Sequence, residues 1–221
     1  MAEILTFDQA DAERYADILS ATVAAVVSGD LGAALEELRP ISGEVWMGRI
    51  KTIGVAGAGG VAAARPRDET LRARVFVRDG FRCTYCGGRA VPRCILVAIH
   101  DVFPEAVPYD RHYGRGKIHP VFWALAPEAD HVHPHSRGGL NSLENLTTLH
   151  AACNTRKADA LIADPPSSRS APWEPRWDGL TSYYAALIAA GAGTVRPAYH
   201  RAWSRRFERL MTPRIDGDDV R

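Results

Sequence analysis

Between Asp130 and Lys157 the chain reads DHVHPHSRGGLNSLENLTTLHAACNTRK. Within it lie an adjacent Asp130–His131 pair, Asn145, and a closing His150-x-x-Cys153-Asn154. Upstream sits Cys83-Thr84-Tyr85-Cys86. These residues fall into two chemical classes. Thiols and imidazoles suit a soft, closed metal site; carboxylate and amide oxygens suit a hard cation with open coordination positions. Cys83 and Cys86 are spaced as a knuckle, and His150 and Cys153 repeat the i, i+3 spacing at the mouth of a helix. Together they offer four ligands for a structural Zn²⁺. A redox-active C-x-x-C is the competing reading of the same cysteines. Cys94 is the odd one out: it could replace His150 as a ligand, but its place in an irregular stretch predicts a free thiol.

The hard donors suit phosphodiester hydrolysis. That reaction needs an activated water, a Lewis acid on the scissile phosphate and stabilisation of the leaving oxygen. Histidine has the basicity to take a proton from water near neutral pH. Mg²⁺ (or Mn²⁺) prefers oxygen and needs few protein donors. Asp130 and Asn154 could offer two oxygens while His131 points at the water. On an extended strand neighbouring side chains point opposite ways, so Asp130 would face the metal and His131 the substrate. Arg137, Arg156 and Lys157 flank the site and could clamp a phosphate backbone.

These side chains need elements to hold them. Thr6-x-x-Gln9 resembles a capping box, and the apolar spacing after it predicts a helix from about Asp8 to Ser28. Asp30 caps a second helix, Leu31 to Leu38, stopped by Pro40. Residues 44–55 read as a strand. The glycine run at 57–60 reads as a linker, since no Lys-Ser/Thr follows it as a phosphate loop would require. Arg67 to Val77 reads as a helix and 87–120 as irregular. Val121 to Leu125 reads as a strand leading into Asp130. Residues 151–162 have helical composition. Pro165 to Ser168 read as a linker, and helices are expected at Thr181–Ala190 and Pro197–Leu210.

In their order and spacing, C-x-x-C, D-H, S-R-G-G, N-x-x-x-L and H-x-x-C-N-x-x-K resemble the HNH endonuclease family, with its ββα-metal fold. The likeness runs from about Arg74 to Asp159 and is strongest at Cys83–Cys86 and Asp130–Asp159. It implies an α+β fold: a ββα-metal HNH core with a zinc knuckle, flanked by N- and C-terminal helices. It also implies that Asp130 and Asn154 bind the catalytic metal, that His131 is the general base and that Asn145 orients the loop and the base. Cys83, Cys86 and Cys153 fall on the family's zinc cysteines, and His150 stands where a fourth cysteine is usual. The expected organisation is a helical region and linker over 1–64, a nuclease core over 65–163 with an insert at about 94–120, and a linker and helical extension over 164–221. Within that insert His100, His112 and His119 are expected to be loop residues rather than ligands. His133 and His135 are expected to be polar neighbours of the site.

Charge points the same way. The net charge of +1 hides nine acids against two bases in residues 1–48, and eight arginines against three acids in 65–93. A third segment, 195–214, holds six arginines against Glu208. Arginine-rich segments suit a polyanion-facing surface, because the planar guanidinium binds phosphate bidentately. The expected activity is metal-dependent hydrolysis of double-stranded DNA, with restriction or defence as a setting suggested by family association alone. One such site cuts one strand, so a double-strand break needs a homodimer or two nicks. The alternatives are a zinc-stabilised DNA-binding module without catalysis, and an RNA-cutting nuclease. With no apolar run long enough for a membrane span and no signal-like N-terminus, a cytoplasmic location is expected.

Overall fold

In a computed structural model the described residues are 2–52, 68–135, 138–158 and 177–212. Strand β1 (Glu3–Ile4) pairs in parallel with β2 (Val45–Trp46), and between them run α1 (Gln9–Val27) and α2 (Leu31–Leu38). The cap of α1 is Asp8, not Thr6. Asp8 Oδ1 accepts from Asp11 N, and Asp11 Oδ2 accepts from Asp8 N. A carboxylate at each end of the box also favours the positive end of the helix dipole. Asp30 caps α2 as expected. Among the described residues of the expected 44–55 strand, only Val45 and Trp46 form a paired strand.

Helix α3 (Glu69–Arg78) starts at Asp68, whose side chain accepts from Thr70 N and Leu71 N. The next element corrects the sequence reading. Arg93–Val102, expected to be irregular, is helix α4, and Cys94 to Ile99 are all buried. A helix apolar on every side belongs in the middle of a core, and α4 packs against α5, α7 and α9. A second correction is α5 (Val121–Ala124), expected as a strand. Pro120 (φ −55°, ψ −29°) starts the chain in the helical well, where its fixed φ is already suited to the first turn.

Strands β3 (Pro127–His131) and β4 (Leu146–His150) form an antiparallel hairpin, with Pro127 opposite His150 and His131 opposite Leu146. Helix α6 (Ala151–Lys157) follows β4 without a gap. The C-terminal part holds α7 (Tyr184–Leu187), α8 (Gly193–Val195) and α9 (Pro197–Met211). The single helix expected at Thr181–Ala190 is a 3₁₀ turn, a short α-helix and a π-turn in succession. Gly191 (φ 137°) breaks the run, at an angle only glycine adopts readily. The fold is α+β. One buried cluster joins Leu19 and Leu38 of the first two helices, Val75 and Phe76 of α3, all of central α4, and Leu187 and Phe207 near the C-terminus. The expected linkers at 57–60 and 165–168 lie outside the described residues.

Candidate functional site: a hairpin, a helix and two unlike donor sets

The soft donors converge. Ligand atoms of Cys83, Cys86, His150 and Cys153 all lie within 4.8 Å of one another. Ligands bound at about 2.3 Å to a tetrahedral ion lie roughly 3.5–4 Å apart, so the four could close on one ion. The knuckle is a tight turn: Gly87 N donates to Cys83 O (2.7 Å) and Cys83 N to Gly88 O (2.9 Å). Thr84 N donates to Thr148 O (2.8 Å), which fixes the turn against β4. A Cβ on Gly88 would stand 3.1 Å from His150 Cε1 and 3.4 Å from Cys86 Sγ, so glycine permits this approach.

The orientation of His150 follows from its hydrogen bonds. Nδ1 lies 3.4 Å from Cys86 Sγ, while Nε2 lies 3.0 Å from Arg89 O. A carbonyl can only accept, so Nε2 carries the proton and Nδ1 faces the sulfurs. An outer acceptor on the far nitrogen is the usual way to orient a histidine ligand. Burial opposes ionisation of Cys83, yet hydrogen bonding from Cys153 and Cys86 outweighs it and holds this thiol well below its usual range. The Cys153 thiol is pushed up by its hydrogen bonds to Cys83 and Cys86 and by burial. One negative charge settles readily among the three sulfurs, and further ionisation calls for a cation. Cys94 is not in the group. It is buried in α4 as a free thiol, and burial pushes its pKa up.

The hard donors meet at a cleft of about 370 Å³, lined among others by Asp68, Arg72, Glu128, Asp130, His131 and Asn154. Asp130 and His131 end β3, and Asn154 lies on α6 next to Cys153. The soft and hard donors therefore share one hairpin–helix frame. Asp130 and His131 both reach this cleft, contrary to the opposed faces expected of a strand. His131 is the last strand residue, where the alternation ends. Its ring is buried and stands 5.6 Å from that of His135. His133 is exposed.

Asn145 closes the loop between the strands. Its Oδ1 accepts from His133 N (2.9 Å), and its Nδ2 donates to His133 O (3.1 Å) and Leu140 O (2.8 Å). A Cβ on Gly139 would stand 1.9 Å from His133 O, so the loop crosses itself where only glycine fits.

Lys157 is not on the surface. Its ammonium, on a side chain 3% exposed, donates to Asp130 Oδ2 (2.5 Å) and His131 O (3.1 Å). Among the described residues Asp130 Oδ1 accepts no hydrogen bond. Arg156 is exposed, and Arg137 lies outside the described residues.

Sequence reasoning missed Glu128. It lines the cleft and pairs with Arg72 (2.5 Å) and with Arg93. Glu128 lies two residues before Asp130, on the same face of a strand, so the period of two was the signal that could have found it. Four of the arginines expected to face a polyanion are engaged by carboxylates of the chain itself. Arg72 and Arg93 hold Glu128, Arg78 pairs with Asp79, and Arg89 pairs with Glu13 and Asp17 of α1.

No helix among the described residues is long and apolar enough to cross a membrane. No curated protein and no solved structure matches the chain. A family model does: residues 120–160 match the HNH endonuclease model, over β3, the Asn145 loop, β4 and α6. Over those residues the chain is similar to the HNH endonuclease family, and beside them stands a Cys₃His group that could hold a metal ion.

Proposed function

We propose that the protein is a metal-dependent endonuclease that hydrolyses DNA phosphodiester bonds. The observation that carries this reading is the meeting of Asp130, His131 and Asn154 at one cleft of a matched HNH segment. Asp130 Oδ1 and the Asn154 amide oxygen would hold a hard divalent ion, Mg²⁺ or Mn²⁺. Such an ion supplies Lewis-acid polarisation of the scissile phosphate. Glu128 is held by Arg72 and Arg93 and Asp130 Oδ2 by Lys157, so the oxygens the lining leaves to a cation are those of Asp68 and Asp130 Oδ1.

In this reading His131 is the general base. It takes the proton of the attacking water as the new P–O bond forms and the P–O bond to the leaving oxygen on the opposite side breaks, the leaving oxygen taking a proton from water. Asn145 acts through the loop: by tying His133 to Leu140 it holds the chain that follows His131. Lys157 fixes the Asp130 carboxylate and the His131 carbonyl, a positioning role in place of the phosphate contact expected from sequence. Cys83, Cys86, His150 and Cys153 would hold Zn²⁺ and lock the knuckle to β4 and α6. Arg156 and the exposed Arg74 would meet the DNA backbone. A double-strand break would need a second copy or two nicks.

The test is nicking of supercoiled plasmid by wild type and His131→Ala, with Mg²⁺ and without added divalent ion. Nicking should require Mg²⁺ and should fall about 10²–10⁴-fold in the variant, as expected for loss of a general base. Equal nicking by the two proteins, or nicking independent of the ion, would sink the proposal. A second reading, a non-catalytic nucleic-acid-binding module, is favoured by one observation: Lys157 already occupies Asp130 Oδ2. Plasmid retardation without any nicking would select it.

A further inference from the structure

The cleft is not the largest recess. A pocket of about 560 Å³ opens between the segment after α4 and the start of α9, with Tyr109, Asp110, Arg111, Lys117, Arg196 and Tyr199 among its lining. In the cleft the carboxylates of Glu128 and Asp130 are already paired with Arg72, Arg93 and Lys157. In this pocket three cations face one carboxylate. Arg196 is offset by the buried Asp101, with which it pairs. That still leaves Arg111 and Lys117, both exposed at the mouth, against Asp110.

Two further donors stand in the wall. Among the described residues neither the Tyr109 nor the Tyr199 hydroxyl has a hydrogen-bond partner. Burial pushes both phenols up, so both keep their protons at neutral pH. Arginine, lysine and tyrosine are among the side chains that contact phosphate oxygens in nucleic-acid complexes. The volume is several times that of a phosphate and lies in the range of small-ligand pockets. Arg93 lies between the two recesses: it bonds Glu128 of the cleft, and its charge acts on Tyr109 and Tyr199 of the pocket.

We infer that this pocket binds the phosphate of a nucleotide, with Arg111 and Lys117 drawing it in and the Tyr109 and Tyr199 hydroxyls donating to it. The nucleotide is either one unit of a strand that also crosses the cleft or a free mononucleotide. The first source rests on the nuclease reading of the cleft; the pocket's chemistry does not.

The experiment uses the full chain carrying His131→Ala, in buffer without added divalent ion, so that cleavage plays no part. Binding of thymidine 5′-monophosphate, inorganic phosphate and a short DNA duplex is measured with and without Arg111→Ala/Lys117→Ala. Both side chains are exposed, so an unchanged melting temperature checks the fold. Mononucleotide affinity should fall at least ~10-fold in the double variant and about 3-fold or more in Tyr199→Phe, which removes only a hydroxyl. A parallel fall in duplex affinity assigns the pocket to a strand; a fall for the mononucleotide alone assigns it to free nucleotide. Mononucleotide binding that ignores Arg111→Ala/Lys117→Ala overturns the proposal, as does inorganic phosphate bound as tightly as the mononucleotide. Plasmid nicking is scored separately, so the pocket and the cleft can fail independently.

Discussion

At the scale of single residues, Asn145 carries more of the site's geometry than its type suggests. One amide makes three hydrogen bonds across a loop that glycine alone allows to close. An alanine there should lose the three bonds, at about 1–3 kcal/mol of local order. An aspartate should do worse. It keeps the acceptor for His133 N but turns a second oxygen toward the His133 and Leu140 carbonyls, where nothing can donate. The nicking rate should rank wild type, Asn145→Ala and Asn145→Asp in that order of decreasing activity, and the His133 amide should lose protection from exchange in both variants, most in the alanine, which removes its acceptor. An aspartate variant as protected and active as wild type would refute the role. The donors were legible as positions: Asp130, His131 and Asn154 line one cleft and the four Cys₃His ligands converge, while Asn145 sits in the loop that follows His131. Lys157 was seen but misread. A lysine one turn beyond Asn154 looks like a surface clamp until its partner, Asp130 on another element, is known.

At the scale of elements, the Cys₃His group sits at a junction. Cys83 and Cys86 form the turn before Gly87, His150 ends β4, and Cys153 lies in the first turn of α6. Just past the turn, Arg89 reaches Glu13 and Asp17 of α1 and lies 5.0 Å over the Trp177 ring. A metal here would couple the hairpin, α6 and, through Arg89, the first helix. We expect one Zn²⁺ per chain in wild type and none in Cys83→Ser. The melting temperature of that variant should fall by at least ~6 °C, equivalent to about 2–3 kcal/mol for a chain of this size. Cys94→Ala should keep its metal. Elemental analysis and thermal melts check both, and full zinc occupancy in Cys83→Ser would break the assignment. Elements were less legible than donors, for a definite reason. In α4 the run Cys94 to Ile99 is apolar throughout, so it carries no 3.6-residue period to separate helix from coil. Val121 to Leu125 has the composition of a strand, and only Pro120 tips it into a helical turn.

At the scale of the whole molecule, charge that looked reserved for a partner is spent on internal ties. The acidic head is held to the knuckle by Arg89, and Tyr15 of α1 donates to Glu44 (2.7 Å) before β2. A residue expected to be an inert loop histidine completes the attachment. His119 is fully buried; its Nε2–H donates to Ile41 O (2.8 Å) after α2, and its Nδ1 accepts from Val121 N (3.2 Å) at the start of α5. The neutral ring satisfies both contacts, and a proton on Nδ1 would abolish the second. Burial accordingly pushes its pKa down to about 4, against about 6.5 in an unfolded chain. Between these values the unfolded state binds a proton that the folded state refuses. The contribution is therefore fully present above pH 6.5 and is lost progressively as pH falls toward 4. For this one group the loss approaches ~3 kcal/mol. His200 titrates in the same direction: burial and then the nearby Arg196 charge push its pKa down to about 4. Glu44 works the other way: burial raises its pKa, so it favours the fold as pH falls through its own range. His119→Asn isolates the first term. Urea unfolding at pH 7 and pH 5 should show a steep loss of stability in wild type. The variant should be less stable at pH 7 but have a visibly flatter pH dependence. Parallel slopes in the two proteins would mean that His119 titrates alike folded and unfolded, and that the joint between the helical head and the hairpin is not the acid-sensitive part of the molecule.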